Sequence, residues 1–231
     1  MDLVRPWFDA ALALLPDGAQ LWDAHTHTGE NDPDGVRGTA PRLIEKLQST
    51  GHAGAVVTTS HDPSGYPAAN DRVLGEAQRS AGALLPFVRV DPKLEAAATA
   101  EVARSLALGH RGIKLHPRAE QFRLADARVD PILRTAAERG VPVLIHAGRG
   151  IPSLGRDAVD RCDEIPGLRL ILAHAAISDL SWLGRAANNV PGLYFDTAWW
   201  DITDLLALFA WVSPGRILYA SDTPYGHPAL G

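Results

Sequence analysis

The chain has 231 residues, an apolar fraction of 46% and a formal net charge of −5. That composition supplies a sizeable core and excludes a disordered or low-complexity chain; it shows no basic patch to draw nucleic acid or anionic lipid, and no run near the roughly 18 apolar residues that cross a bilayer. The one cysteine, Cys162, allows no internal disulfide and points to a reducing cytoplasm.

At the start, an acid follows the initiator, and the short apolar stretch 10–15 ends in Pro16-Asp17-Gly18. This is not the pattern of a secretory leader; it predicts a helical extension over 1–20 that leads into a first strand. That strand, 21–28, carries Asp23-Ala24-His25-Thr26-His27. Residues two apart in a strand project to one face, so both imidazoles point the same way and can grip one metal ion. The next strand-like runs are 53–60, 83–90 (interrupted by Pro86), the short 112–116, 142–147, 168–175, 193–197 and 217–222.

Helical pattern fills the gaps. Val129, Ile132, Leu133, Ala136 and Ala137 recur at helical spacing, with Asp130 as the expected N-cap, Pro131 in the first turn and Gly140 as the stop. Leu94, Ala98, Val102 and Leu106 form a second stripe, and Ile202, Leu205, Leu206, Phe209 and Val212 a third, closed by Pro214-Gly215. Segments 40–50, 68–81, 155–165 and 178–189 also read as helices.

Strands that alternate with single helices imply parallel βαβ units, and eight of them predict an α/β (β/α)8 TIM-like barrel. The whole of 1–231 reads as a single barrel domain. The sequence ends a few residues after the eighth strand, so the eighth helix of the ring is expected to be missing; a gap, a second subunit in a homodimer, or truncation would each account for this.

In such a barrel functional groups gather at the carboxyl ends of the strands. His146, His174 and Asp222 close three of the later runs, so their side chains belong at the same mouth as His25 and His27. Imidazoles and a carboxylate are metal-ligand types. There is no Walker loop, no Gly-x-Gly-x-x-Gly after a strand and no Gly-x-Ser-x-Gly elbow, so neither a nucleotide cofactor nor a serine nucleophile is expected.

The set Asp23-Ala24-His25-Thr26-His27, Gly112-Ile113-Lys114-Leu115-His116-Pro117, Ile145-His146-Ala147-Gly148, Leu172-Ala173-His174-Ala175 and Ala220-Ser221-Asp222-Thr223-Pro224 resembles the amidohydrolase superfamily. Within it, the pattern is similar to the amidohydrolase-related branch of metal-dependent hydrolases and nonoxidative decarboxylases. The resemblance implies that His25, His27, His146 and Asp222 bind one divalent metal, zinc first, with manganese, iron or cobalt also accommodated. It implies that His174 stays outside the ligand set as a proton shuttle or polarising donor; a fifth ligand or an orienting partner is the alternative. Asp222 either also takes a proton from the activated water or serves as ligand alone. In other branches a lysine on the fourth strand is modified and bridges a second metal. Lys114 is read that way, as an ammonium holding a substrate anion, or as one half of an ion pair at the mouth. His116, His61 and Trp199 are expected to line the pocket, with Arg149 as a fork for a substrate carboxylate or a plain surface charge. Trp200 is expected to pack. His52 and His110 precede strands, at the opposite face.

Three functions follow from this reading. The first is a hydrolase that uses a metal-activated water on a small, anionic amide, ester or lactone. The second is a metal-dependent nonoxidative decarboxylase of an aromatic or enol carboxylate, and the third a barrel that binds metal or ligand without turnover. The expected partner is a small-molecule substrate, with no nucleic acid and no membrane.

Overall fold

The computed structural model describes residues 3–230; the first two residues of the extension expected over 1–20, and Gly231, lie outside the described residues. Helix α1 (Arg5–Leu12) precedes strand β1 (Leu21–Thr28). Then α2 (Ala40–Ser49), β2 (His52–Thr59), α3 (Pro67–Arg79), β3 (Leu84–Arg89), α4 (Ala96–Leu108) and β4 (Gly112–Leu115) follow in strict alternation. The short α5 (Pro117–Glu120) and the longer α6 (Asp130–Arg139) precede β5 (Val143–His146), α7 (Gly155–Glu164), β6 (Leu170–Ala173), α8 (Leu180–Ala186), β7 (Leu193–Asp196), α9 (Ile202–Trp211) and β8 (Ile217–Leu218). The strands lie in the order β1 to β8, every neighbouring pair parallel. This is the expected (β/α)8 barrel, and among the described residues no helix follows β8. No helix among the described residues is long and apolar enough to cross a membrane.

Alternation along each strand decides what faces the barrel interior. Val88, Ile113, Leu115, Val143, Ile145, Leu170 and Leu172 join the large core between the strands and the helices. Their strand neighbours Phe87, Leu144, Ile171 and Ala173 form a smaller cluster on the opposite face. The same parity turns Arg89, Lys114 and His146 inward with that cluster. Gly112 makes room for it: a Cβ there would stand 2.4 Å from the Phe87 ring. Each large apolar side chain buried in this way contributes about 1.5–3 kcal/mol.

The strand expected over 83–90 forms with Pro86 inside it, paired with Val57 at the end of the β2–β3 ladder. Two local expectations need adjustment. Asp130 is the first residue of α6 rather than its N-cap: a 3-10 turn over Ala127–Val129 comes first, and Asp126 accepts from the Arg128 amide at its start. Gly140, at φ 61°, does end α6 in the left-handed conformation that glycine adopts without strain. The stripe on α9 splits: Val212, just past its end, is buried, but Ile202, Leu206 and Phe209 are exposed, and the fully covered helical residue is Leu208. The helix is apolar on most of its circumference, so spacing alone does not choose the face.

The last strand is shorter than the apolar run suggests, and this closes the barrel. β8 pairs with β7 only through Ile217 and Leu218. The chain then crosses to β1: Tyr219 accepts from the Ala24 amide at 2.8 Å, the Asp222 amide donates to the His25 carbonyl at 2.9 Å, and the His27 amide donates to the Thr223 carbonyl at 2.6 Å. The step from β8 to β1 therefore sets Asp222 beside His25.

Candidate metal centre

The site starts on β1. His25 and His27 are buried, with relative exposures of 1% and 4%. Their Nε2 atoms lie 3.0 Å apart. Asp222 Oδ1 lies 3.4 Å from His25 Nε2 and 3.0 Å from His27 Nε2. Asp23, also inward on β1, makes this meeting possible. It accepts from the Ser221 amide at 3.1 Å and from Ser221 Oγ at 2.5 Å, and from the His25 amide at 3.1 Å. One buried carboxylate thus ties the residue before Asp222 to the strand that carries both histidines. Asp222 itself sits at φ 57°, and His174 and Trp199 at 58° and 61°. Three residues without glycine's freedom hold the left-handed conformation at the barrel mouth, at roughly 1–2 kcal/mol each.

Hydrogen bonds on the far sides of the rings set the tautomers. His25 Nδ1 faces Asp196 Oδ2 at 2.9 Å, so Nδ1 carries the proton and donates, leaving a lone pair on Nε2. His27 Nδ1 faces the Thr59 carbonyl at 3.4 Å, a longer contact of the same sense. Two imidazole lone pairs and a carboxylate oxygen then point at one place and repel each other unless a cation or proton stands between them. Ligand bonds of about 2.0–2.2 Å put neighbouring donor atoms about 2.8–3.6 Å apart for right-angle to tetrahedral arrangements. The observed separations match, so the donor set fits a divalent ion. Among the described residues this is the group of three whose ligand atoms lie within 4.8 Å of one another.

Lys114 is fully buried, and its Nζ lies 2.7 Å from His25 Nε2. Burial pushes its ammonium down to about 8, against the pull of Asp222. Burial also holds His25 and His27 below the ordinary imidazole range, which keeps them neutral and able to ligate. For Asp222, burial opposes ionisation; positive charge at the His25 and His27 imidazoles outweighs it and holds the carboxyl below its usual range, and with both rings neutral a bound cation would supply that charge. Burial raises the Asp196 carboxyl, partly offset by His174.

The remaining predicted residues gather around a pocket of about 730 Å³ that opens over this cluster. His174 donates from Nδ1 to the Ala198 carbonyl at 3.2 Å, which leaves the Nε2 lone pair 3.9 Å from Asp222 Oδ2. His146 lines the same pocket but stands outside the three-atom group. Its Nε2 faces the Arg149 carbonyl at 3.2 Å, and its ring stacks on His116 at 4.2 Å and meets His174 at 4.9 Å. His116 accepts from the Ala119 amide through Nδ1, and burial and His146 lower its imidazole well below the usual value. His61, Arg149 and the half-exposed Trp199 line the pocket too. Trp200 packs against the core and donates to the Asp196 carbonyl. His52 and His110 are buried away from the site, and burial lifts the Cys162 thiol to about 12.

Sequence reasoning passed over several groups. Asp196 ends β7 as Asp222 ends the β8 run, and that shared placement was an available signal. Arg89 ends β3, lines the pocket and donates to Glu120 at 2.7 and 3.2 Å; Tyr66 also donates to Glu120. Arg118 lines the mouth, and Tyr225 donates to Asp32 on the opposite wall.

Comparison with known proteins gives the family and the fold. Residues 6–230 match the sequence profile of the amidohydrolase family. No curated protein matches the chain in sequence. Among solved structures, 5-carboxyvanillate decarboxylase from Sphingomonas paucimobilis is similar at 15% identity and TM-score 0.72, covering 91% of each chain. 4-Oxalomesaconate hydratase from Rhodopseudomonas palustris is similar at 15% identity and TM-score 0.68, covering 89% of this chain and 82% of that one. A Pseudomonas putida protein described as a 2-pyrone-4,6-dicarboxylic acid hydrolase shares 21% identity at TM-score 0.62, covering 90% and 84%. At these identities the likeness is one of fold.

Proposed function

The chain belongs to the amidohydrolase family, a family of metal-dependent enzymes, and on that premise we propose that it hydrolyses a small anionic amide, ester or lactone with one zinc ion. One observation carries the reading: the lone pairs of His25 and His27 and the Asp222 carboxylate converge at the floor of a pocket, with a second proton acceptor, His174 Nε2, beside them. His146, whose ring lies 4.9 Å from that of His174, would be the further ligand if its Nε2 left the Arg149 carbonyl. A divalent cation held there supplies Lewis acidity, lowering the pKa of water towards about 7 and polarising a substrate oxygen.

The chain's own groups do the rest. Asp196 fixes the His25 tautomer. Asp222, ionised and turned with Oδ1 to the imidazoles and Oδ2 to His174, takes a proton from the attacking water at Oδ2 and passes it to His174 Nε2. The His174 imidazolium so formed stabilises charge on the substrate oxygen and delivers that same proton to the leaving group. Lys114 and Arg149 supply positive charge for an anionic substrate; His116, His61 and Trp199 wall it in.

The test is an amide, ester and lactone panel, with zinc-loaded and chelator-stripped protein and with His174→Gln. Hydrolysis that depends on metal and falls about 10²–10⁴-fold in the variant supports the proposal; full activity after stripping refutes it. A second reading, nonoxidative decarboxylation, is favoured by Lys114: a buried ammonium beside the cluster suits a substrate carboxylate at the reacting centre. Carbon dioxide release from hydroxybenzoates, with no hydrolysis of the panel, selects it. A second metal bridged by modified Lys114 is a further variant, separated by metal stoichiometry.

A further inference from the structure

The cations of the pocket lie at two depths. Lys114, at the floor, is fully buried against His25. Arg89, also buried, is neutralised by Glu120. Arg118 and Arg149, by contrast, are exposed and line the pocket at its mouth. Arg118 comes from the short helix α5 after β4, and Arg149 from the loop after β5. A Cβ placed on Gly150 would lie 3.0 Å from Arg118 Cδ and Nε, so the Arg118 side chain runs across the backbone next to Arg149. Neither guanidinium makes a hydrogen bond or an ion pair among the described residues, whereas the pocket's other arginine, Arg89, pairs with Glu120. The charged group that feels Arg149 is the exposed Asp201, beyond ion-pair distance. A guanidinium is a planar fork that suits a bidentate oxyanion, and two of them without carboxylate partners stand on adjoining segments of the pocket.

We propose that Arg118 and Arg149 form an anion subsite at the pocket mouth, and that the substrate is a dianion whose second carboxylate or phosphate docks there while its reacting end lies over the metal cluster. A single anionic group cannot occupy both the buried floor at Lys114 and the exposed mouth. The proposal rests on the reading that the floor is the reacting end. It adds that the second charge sets specificity: Arg118 and Arg149 are exposed whereas His25, His27 and Asp222 are buried, so the pair selects and orients without taking part in bond breaking.

The experiment uses zinc-loaded full-length protein and calorimetric binding of defined probes: benzoate, isophthalate, terephthalate, succinate and glutarate, with 4-phosphonobenzoate to separate phosphate-type from carboxylate-type recognition and the monomethyl ester of isophthalate as the singly charged control. At least one dianion is expected to bind about 10-fold or more tightly than its singly charged counterpart. Arg118→Gln with Arg149→Gln is expected to erase that preference, while an unchanged zinc content and melting temperature report an intact fold. Phosphonate preference over every dicarboxylate assigns a phosphate tail; the reverse assigns a carboxylate tail. If no dianion outbinds its singly charged counterpart, or the preference survives the double substitution, the subsite is overturned. Zinc content, measured on the same samples, separates that failure from failure of the metal reading: protein that holds no zinc refutes the latter.

Discussion

Asp196→Asn changes one buried atom and separates the metal-loaded protein, which it weakens, from the metal-free protein, which it leaves nearly unchanged. Asp196 Oδ1 accepts from the His174 and Ala198 amides at 2.9 and 3.1 Å, and Oδ2 accepts from His25 Nδ1 at 2.9 Å. In the variant the amide oxygen keeps the two backbone donors, and the NH2 group then faces His25. His25 must move its proton from Nδ1 to Nε2, where it blocks the lone pair that a metal needs. Loss of such an outer partner weakens metal binding about 10–100-fold, or about 1.4–2.7 kcal/mol. At saturating zinc the metal-dependent gain in stability shrinks by the same amount, and the zinc-induced rise in Tm by about 3–10 °C for a chain of this size. The metal-free protein loses nothing comparable, because the substitution removes a carboxylate that burial holds above its usual pKa. Zinc affinity by chelator competition and melting with and without zinc are the assays. Zinc binding within about twofold of wild type would refute the claim that Asp196 sets the ligand tautomer.

Further outcomes follow from other contacts. Asp23→Ala leaves the His25 and Ser221 amides and Ser221 Oγ without their acceptor, and is expected to cost about 2–4 kcal/mol in denaturant unfolding and to abolish zinc binding; unchanged stability would contradict it. Gly148→Ala places a Cβ 2.9–3.1 Å from the His174 side chain, so kcat should fall about 10-fold or more with zinc affinity retained; equal kcat would count against His174 as the proton carrier. Burial lowers His52 from 6.5 to about 4, so the unfolded state binds the extra proton between those values. Its contribution to stability is present above pH 6.5 and lost as pH falls to about 4, at most about 3 kcal/mol, and His52→Gln should flatten that slope in pH-dependent unfolding.

Strand alternation and residue type made much of this architecture readable in advance. His25 and His27 share a face because they are two apart on a strand, and Lys114 and His146 turn inward by the same parity. Asp196 carried a similar mark, an acid closing the apolar run of β7, but its partner His25 lies 171 residues away and only barrel closure joins them. The same holds for Arg89 and Glu120, whose pairing depends on how α5 folds back over the strand ends. Ring orientation is not written in the sequence either: His146 reaches the pocket as expected, but its Nε2 meets the Arg149 carbonyl. The exposed side of α9 was equally unreadable, since apolar residues surround most of that helix.

Metal content is the most direct test of the convergence at His25, His27 and Asp222. Wild-type protein equilibrated with zinc and then freed of loose metal should retain one ion per chain, and His27→Ala and Asp222→Ala should each retain none while remaining folded. Wild-type protein without bound metal, or variants that keep it at the wild-type level, would contradict the account.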